Sequence, residues 1–340
     1  MNFDFFSPAL RERKIDISGV ENAILDFLVH VEPSDLGELG LAKGTMKLVG
    51  LEEQAVILKH VGGLEPEIEA GGACANALRV ASRMGCRVCF SSAVGSDTNG
   101  ALFAEEIERA AVMNRLVQVA GPTGTSVILV TPDGERTMNT HLGVCREYRE
   151  EHVPLEEIRH SKIFFTTAYM WDTAHQIEAI EKAIREARAA GCRIALDLAD
   201  PFAVERSRQA LLSHLVAGLD LIFANREEAR IMTGLEPDAA CREMAKKATV
   251  SIVKDGANGA WIAHGPDLFH AKAQPVKVVD TTGAGDVFAA GFLAGLVGGQ
   301  SLEVCAELAT VLAADTIGHM GVKLSDDIDR RVENLLPRSS

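Results

Sequence analysis

Asp280-Thr281-Thr282-Gly283-Ala284-Gly285-Asp286 joins the residue types of an anion site to a carboxylate at its far end. The apolar run Val276 to Val279 precedes it and predicts a strand. Val287 to Leu293 follows it and predicts a buried helix of small and apolar residues. A glycine-rich turn that opens a helix presents free backbone N–H groups and the positive end of the helix dipole. Phosphate is the usual anion at such a place. Asp286 would repel that anion, so it needs a use of its own. Two uses fit: a helix-start residue, or a base that takes the proton from a hydroxyl attacking a phosphoryl group. No third glycine completes a dinucleotide fingerprint, and the absence of any Gly-Lys-Ser/Thr excludes a P-loop.

Such a turn needs a frame, and strand-like and helix-like segments alternate along the chain. Lys14 to Asn22, Arg87 to Val94, Lys162 to Met170, Arg193 to Leu198, Leu219 to Ala224 and Val250 to Lys254 read as strands. Ala75 to Met84, Gly100 to Ala111, Gln176 to Ala190 and Ala203 to Val216 read as helices. Apolar strands in this rhythm belong to a mostly parallel, buried sheet of an α/β fold. Two regions break the rhythm. Thr125 to Thr131 and Arg136 to His141 flank Pro132-Asp133-Gly134-Glu135, a hairpin signal. Phe27 to Val31 and Thr45 to Val49 are short β-like runs separated by a loop rich in Gly and Leu. Together they predict a small antiparallel sheet projecting from the main body as a lid. A second hairpin is expected from Ala260 to Ala263 with Leu268 to Ala271.

The composition narrows the class. The 340 residues are 47% hydrophobic and 24% charged, a globular balance that suits one large α/β domain. The net charge of −14 argues against nucleic acid and anionic membranes as partners. It leaves anionic ligands open, because a local N–H nest holds phosphate on an acidic protein. No apolar run reaches the roughly 18 residues of a membrane span, and the first residues do not read as a signal peptide. Seven scattered cysteines, an odd count, argue against a disulfide framework and for the cytoplasm. Cys86-x-x-Cys89 lies in a strand-like run without a second pair, so two apolar fillers is the better reading.

Several separated motifs then occur in a familiar order. Gly71-Gly72-Ala73-Cys74-Ala75-Asn76 with Arg83-Met84-Gly85 is similar to the first signature of the PfkB, or ribokinase-like, carbohydrate kinases. Val94 to Gly100, Asn225-Arg226-Glu227-Glu228 and Lys254 to Gly259 resemble further family motifs, and Asp280 to Asp286 resembles the second signature nearly letter for letter. The likeness extends over essentially the whole chain. Ala23-Ile24-Leu25-Asp26 and Glu135-Arg136-Thr137-Met138-Asn139 look most like the adenosine-kinase branch.

The resemblance implies a three-layer α/β/α fold with a mostly parallel central sheet and a small antiparallel β lid. Residues 1–340 would form one kinase domain, with the lid drawn from about 27–50 and 123–142. Asp286 is implied as the catalytic base, and the backbone N–H groups of Gly283, Ala284 and Gly285 as the anion hole. Asp26 would accept two vicinal hydroxyls of a sugar ring. Gly71 and Gly72 would let backbone approach that sugar, Asn76 would bond a ring hydroxyl, and Arg136 would reach from the lid to the phosphates when the lid closes. Asn225, Lys254, Gly256 and Thr281 would hold ATP. Glu228 would organise Mg²⁺ through water, and Asp280, with nearby carbonyls, would hold a monovalent cation such as K⁺. Tyr169 and Trp171 either stack on a purine or pack in the core.

By the same resemblance the chain would be an ATP-dependent kinase phosphorylating a primary hydroxyl of a ribosyl substrate, a nucleoside such as adenosine. Two alternatives stay open: a kinase for ribose, fructose or 2-keto-3-deoxygluconate, and a non-catalytic relative that binds nucleosides or sugars. The expected partner is a small nucleoside or sugar, without nucleic acid or membrane, in a monomer or homodimer.

Overall fold

The computed structural model describes residues 4–336; Phe3 and the tail Pro337 to Ser340, expected to fray, lie outside them. The strands run, in chain order, β1 Ile15–Val20, β2 Ile24–His30, β3 Met46–Leu48, β4 Glu67–Gly71, β5 Val88–Ser91, β6 Ala93–Gly95, β7 Met113–Asn114 and β8 Val117–Val119. They continue with β9 Gly124–Val130, β10 Arg136–His141, β11 Ser161–Thr167, β12 Arg193–Asp197, β13 Leu219–Asn225, β14 Ala248–Lys254, β15 Ala260–His264 and β16 Asp267–Ala271.

The main sheet has nine strands in the order β16-β15-β14-β13-β12-β11-β1-β5-β7. Pairing is parallel from β14 through β7 and turns antiparallel at β15 and β16. Every residue of β1 and β11 is buried, including the polar Asp16, Ser18, Ser161 and Lys162. Successive residues of a strand face opposite sides. Accordingly Leu221 and Phe223 of β13 enter one core, while Ile222 and Ala224 enter the other. Helices Ala73–Arg83, Ala284–Val297 and Leu302–Ile317 cover the first face. Helices Ala174–Ala189 and Pro201–Ala217 cover the second. That is the three-layer arrangement.

Small residues set the depth of one layer. A Cβ on Gly291 would lie 2.8 Å from the Ala309 backbone, and one on Gly295 2.9 Å from Cys305 Sγ. The Ala284–Val297 helix can lie this close to its neighbour only because these positions carry no side chain.

The smaller sheet has the order β3-β10-β9-β2-β4. The Asp-Gly turn joins the antiparallel pair β9–β10, with Arg136 opposite Val130. Strands β2 and β4 form a second antiparallel pair, and parallel β2–β9 pairing joins the two. The expected spans 27–50 and 123–142 supply most of it, but two parts differ. Helix Pro33–Glu38 occupies the expected loop, and β4 lies outside both spans. The Glu67-Ile-Glu-Ala-Gly sequence of β4 has too few apolar residues to announce a strand; β2 makes it one.

The run Val276 to Val279 is a correction. It is assigned to no strand: the Val279 N–H donates to the Ile317 carbonyl at 2.9 Å, and Val278 is 62% exposed. Sheet pairing ends at β16, and Val276 and Val278 line the cavity beside the glycine turn instead. All seven cysteines are free and buried. No helix among the described residues is long and apolar enough to cross a membrane.

Candidate active site

Gly283 occupies the left-handed region (φ 68°), and a Cβ there would overlap Val322. It is the N-cap of the Ala284–Val297 helix, and no side chain caps that end. The first turn is left to face a cavity of about 820 Å³ lined by Gly283, Ala284, Gly285 and Asp286. Asp286 is therefore inside the helix rather than its cap, and its carboxylate is free for other work. It accepts a hydrogen bond from Asn76 Nδ2 at 3.0 Å. Asn76 projects from the Ala73–Arg83 helix, is 6% exposed, and has a buried Oδ1 with no partner. A buried, unbonded amide oxygen is costly unless a ligand satisfies it.

Burial pushes the Asp286 carboxyl up to about 7; the Asn76 bond opposes this, Asp197 adds to it, and Lys254 opposes it. Those groups come from the helix, β12 and β14, and Glu21 faces the same region from the end of β1. A base must be ionised to accept a proton, so a raised value places the loss of activity on the acid side. We expect log kcat/KM to fall with about unit slope below roughly pH 7, since kcat/KM reports the free enzyme. A pH–rate series in constant ionic strength measures this, and a flat profile down to pH 5.5 would remove Asp286 from that role.

On one side of Asp286 lie the residues expected to hold the acceptor. Asp26 sits in β2 opposite Glu69 of β4. A Cβ on Gly71 would overlap the Asp26 carboxylate, and one on Gly72 (φ 94°) would come 2.6 Å from the Asn22 carbonyl oxygen. Backbone thus passes directly over Asp26. Burial raises the Asp26 carboxyl to about 7, with Glu69 adding and Arg136 opposing. Glu21 also belongs here. It is buried, accepts the Cys74 N–H at 2.9 Å, and is pushed by burial to about 8. Its signal is a glutamate at the carboxyl end of an apolar strand, where parallel sheets place their ligands. Tyr169 lies within electrostatic reach of Glu21 and Asp286, whereas Trp171 packs against His214 in the second core.

Arg136 of the small sheet and Asp280 of the glycine turn meet in this structure. Both are buried, and they form an ion pair with each other. Asp280 further accepts the Thr282 N–H at 3.0 Å and the Gly321 N–H at 2.9 Å. The guanidinium is thus held at the foot of the glycine turn. The pair fastens the hairpin of the small sheet to the turn.

On the other side of Asp286 lies the large cavity, which brings Asn225, Glu228, Lys254, Gly256 and Thr281 together with the turn. Asn225 caps helix Arg226–Thr233 in a reciprocal box: its Oδ1 accepts the Glu228 N–H at 2.9 Å, and Glu228 accepts the Asn225 N–H at 2.7 Å. Glu228 is 1% exposed, and burial raises it to about 7 against the pull of Lys254. Lys254 Nζ donates to Asp197 Oδ2 at 2.8 Å. Burial lowers the lysine, but Asp197 and Glu228 outweigh that and leave it raised. Asp197, the last residue of β12, is inconspicuous in the sequence because it falls within the strand expected over Arg193 to Leu198 and belongs to no motif.

A glycine turn at a helix start, a buried carboxylate beside it and a second set of buried polar groups, at the carboxyl ends of a parallel sheet, suit a phosphotransferase acting on an alcohol. The chain belongs to the pfkB family of carbohydrate kinases, whose model matches residues 45–329. Members of this family use ATP to phosphorylate hydroxyl groups of sugars and nucleosides. A probable sugar kinase from Rhizobium etli superposes with a TM-score of 0.88 at 30% identity, covering 95% of this chain and 98% of its own. The adenosine kinase of Sinorhizobium meliloti superposes at 0.87 with 32% identity, covering 94% and 99%. An uncharacterized sugar kinase of Archaeoglobus fulgidus is 28% identical over 246 residues, 71% of this chain and 96% of the relative.

Proposed function

We propose that this kinase phosphorylates the primary hydroxyl of a ribosyl compound, a nucleoside such as adenosine, and that the 340-residue chain works as one domain. The Asn76–Asp286 hydrogen bond carries the reading, because it joins the sugar-facing groups to the base beside the phosphate turn. Asp26 takes the vicinal hydroxyls, and the unpartnered Asn76 Oδ1 takes a third polar group. The primary hydroxyl then lies against Asp286. Asp286 receives its proton as the oxygen bonds to the terminal phosphorus and the bond to the bridging oxygen of ADP breaks. Gly283 and Gly285 direct backbone N–H groups at the transferring phosphoryl, whereas the Ala284 N–H donates to the Thr281 carbonyl at 3.3 Å. The small sheet acts as a lid that keeps water from competing for it.

Glu228 fits Mg²⁺ as an outer partner. Its carboxylate lines the cavity, and no cluster of three acidic, histidine or cysteine side chains among the described residues would cage the ion directly. Mg²⁺ that keeps its waters and phosphate ligands needs no cage, and when bound it would neutralise phosphate charge. Seven buried free thiols suit a reducing cytoplasm.

The test is ADP release with nucleosides, ribose, fructose and 2-keto-3-deoxygluconate. Turnover is expected with a nucleoside. Turnover confined to a free sugar overturns the nucleoside reading, and ligand binding without ADP release in any case identifies a sensor.

A further inference from the structure

We propose that Lys254 is the cation for the terminal phosphoryl group of ATP, held for that task by Asp197. The inference rests on ATP as the phosphoryl donor and not on the identity of the acceptor. The cavity is lined by three carboxylates, Asp197, Glu228 and Asp286, and among the described residues Lys254 is its one basic side chain. A polyphosphate entering among three carboxylates needs positive charge beside the backbone N–H groups. Arg136 does not provide it, being paired with Asp280.

The position of Lys254 is specific. Its Nζ lies 3.2 Å from where a Cβ of Gly285 would stand, so the ammonium touches the second residue of the anion-binding helix. A side chain at position 285 would push it away. The ammonium is within electrostatic reach of Asp286 on one side and Glu228 on the other. A group at the meeting point of turn, base and Glu228 is where the transferring phosphoryl must pass. The 2.8 Å bond to Asp197 keeps the long side chain from swinging onto either of the other carboxylates. Asp197 is itself anchored, since its Oδ1 accepts the Ala199 N–H at 3.0 Å. Lys254 therefore contacts the phosphoryl, and Asp197 is its positioning residue. In the transfer the lysine stays protonated throughout; it gains or loses no bond beyond hydrogen bonds to phosphoryl oxygens.

Equilibrium binding without any acceptor tests this. Calorimetric titrations of Mg-ATP and Mg-ADP are compared for the native protein and Lys254→Met. Loss of one charge-assisted bond weakens ATP by about tenfold or more, while ADP changes by less than about threefold on the same reasoning. Lys254→Arg should restore part of the ATP preference. Asp197→Asn should lower the ATP-to-ADP preference without touching the nucleotide. Equal weakening of ATP and ADP, or none, overturns the proposal and leaves Lys254 as a counter-ion for Asp197. Should Lys254→Met fail to fold, as read by its thermal melt, the same ratio measured on Lys254→Gln and Asp197→Asn decides. Failure of the nucleoside panel leaves this ratio untouched, so the two outcomes are separate.

Discussion

Asp286→Asn is expected to lower kcat by about three orders of magnitude, within the range for removing a positioned general base. The replacement keeps size and shape, and its amide oxygen can still accept from Asn76, which now donates at 3.0 Å. What it loses is basicity. The attacking hydroxyl must then surrender its proton to water or phosphate. ATP affinity should stay the same or rise slightly, because a carboxylate beside the phosphate turn repels the nucleotide until it is removed. Steady-state ADP release and calorimetric ATP binding measure the two quantities. A kcat within tenfold of the native value would assign the proton to another group, and a matching fall in ATP affinity would make Asp286 a binding residue.

The second large effect is on stability. Arg136→Met is expected to destabilise the fold by about 3 kcal/mol, the lower end for stranding one partner of a buried ion pair. The lower end applies because Asp280 keeps two backbone N–H donors, from Thr282 and Gly321. Asp280→Asn on top of Arg136→Met should recover much of the loss, since the amide needs no counter-charge. Urea denaturation of the two variants measures this. A loss under about 1 kcal/mol for Arg136→Met would show that the pair is solvated and contributes as surface pairs do.

These two residues also show how far the chain can be read before it is folded. Asp286 is legible because its chemistry is local: a glycine turn, a small-residue helix and a carboxylate within seven residues. Apolar runs announce the central strands because a sheet buried on both faces demands them. The pairing of Arg136 with Asp280 is not legible. It joins positions 144 apart, and an arginine beside a hairpin turn reads equally as exposed or as phosphate-directed. Asp197 and Glu21 escape for a related reason. Each is a single acid at a strand end, and only the fold shows one gripping a lysine and the other the start of a helix. The Val276 to Val279 run fails the other way, since apolar residues that line a ligand cavity have the same composition as a strand.

The hydrogen bond from Asn76 to Asp286 spans 210 positions of the chain. Asp26, Gly71, Gly72 and Asn76 belong to its amino-terminal end, and Asn225, Glu228, Lys254 and the glycine turn to the other. Synthesis proceeds from the amino terminus, so the sugar-facing groups leave the ribosome long before the base and the phosphate turn. On the proposed roles a partly made chain holds no complete transfer site, and phosphotransfer competence arrives only when the glycine turn and the helices after it close the molecule.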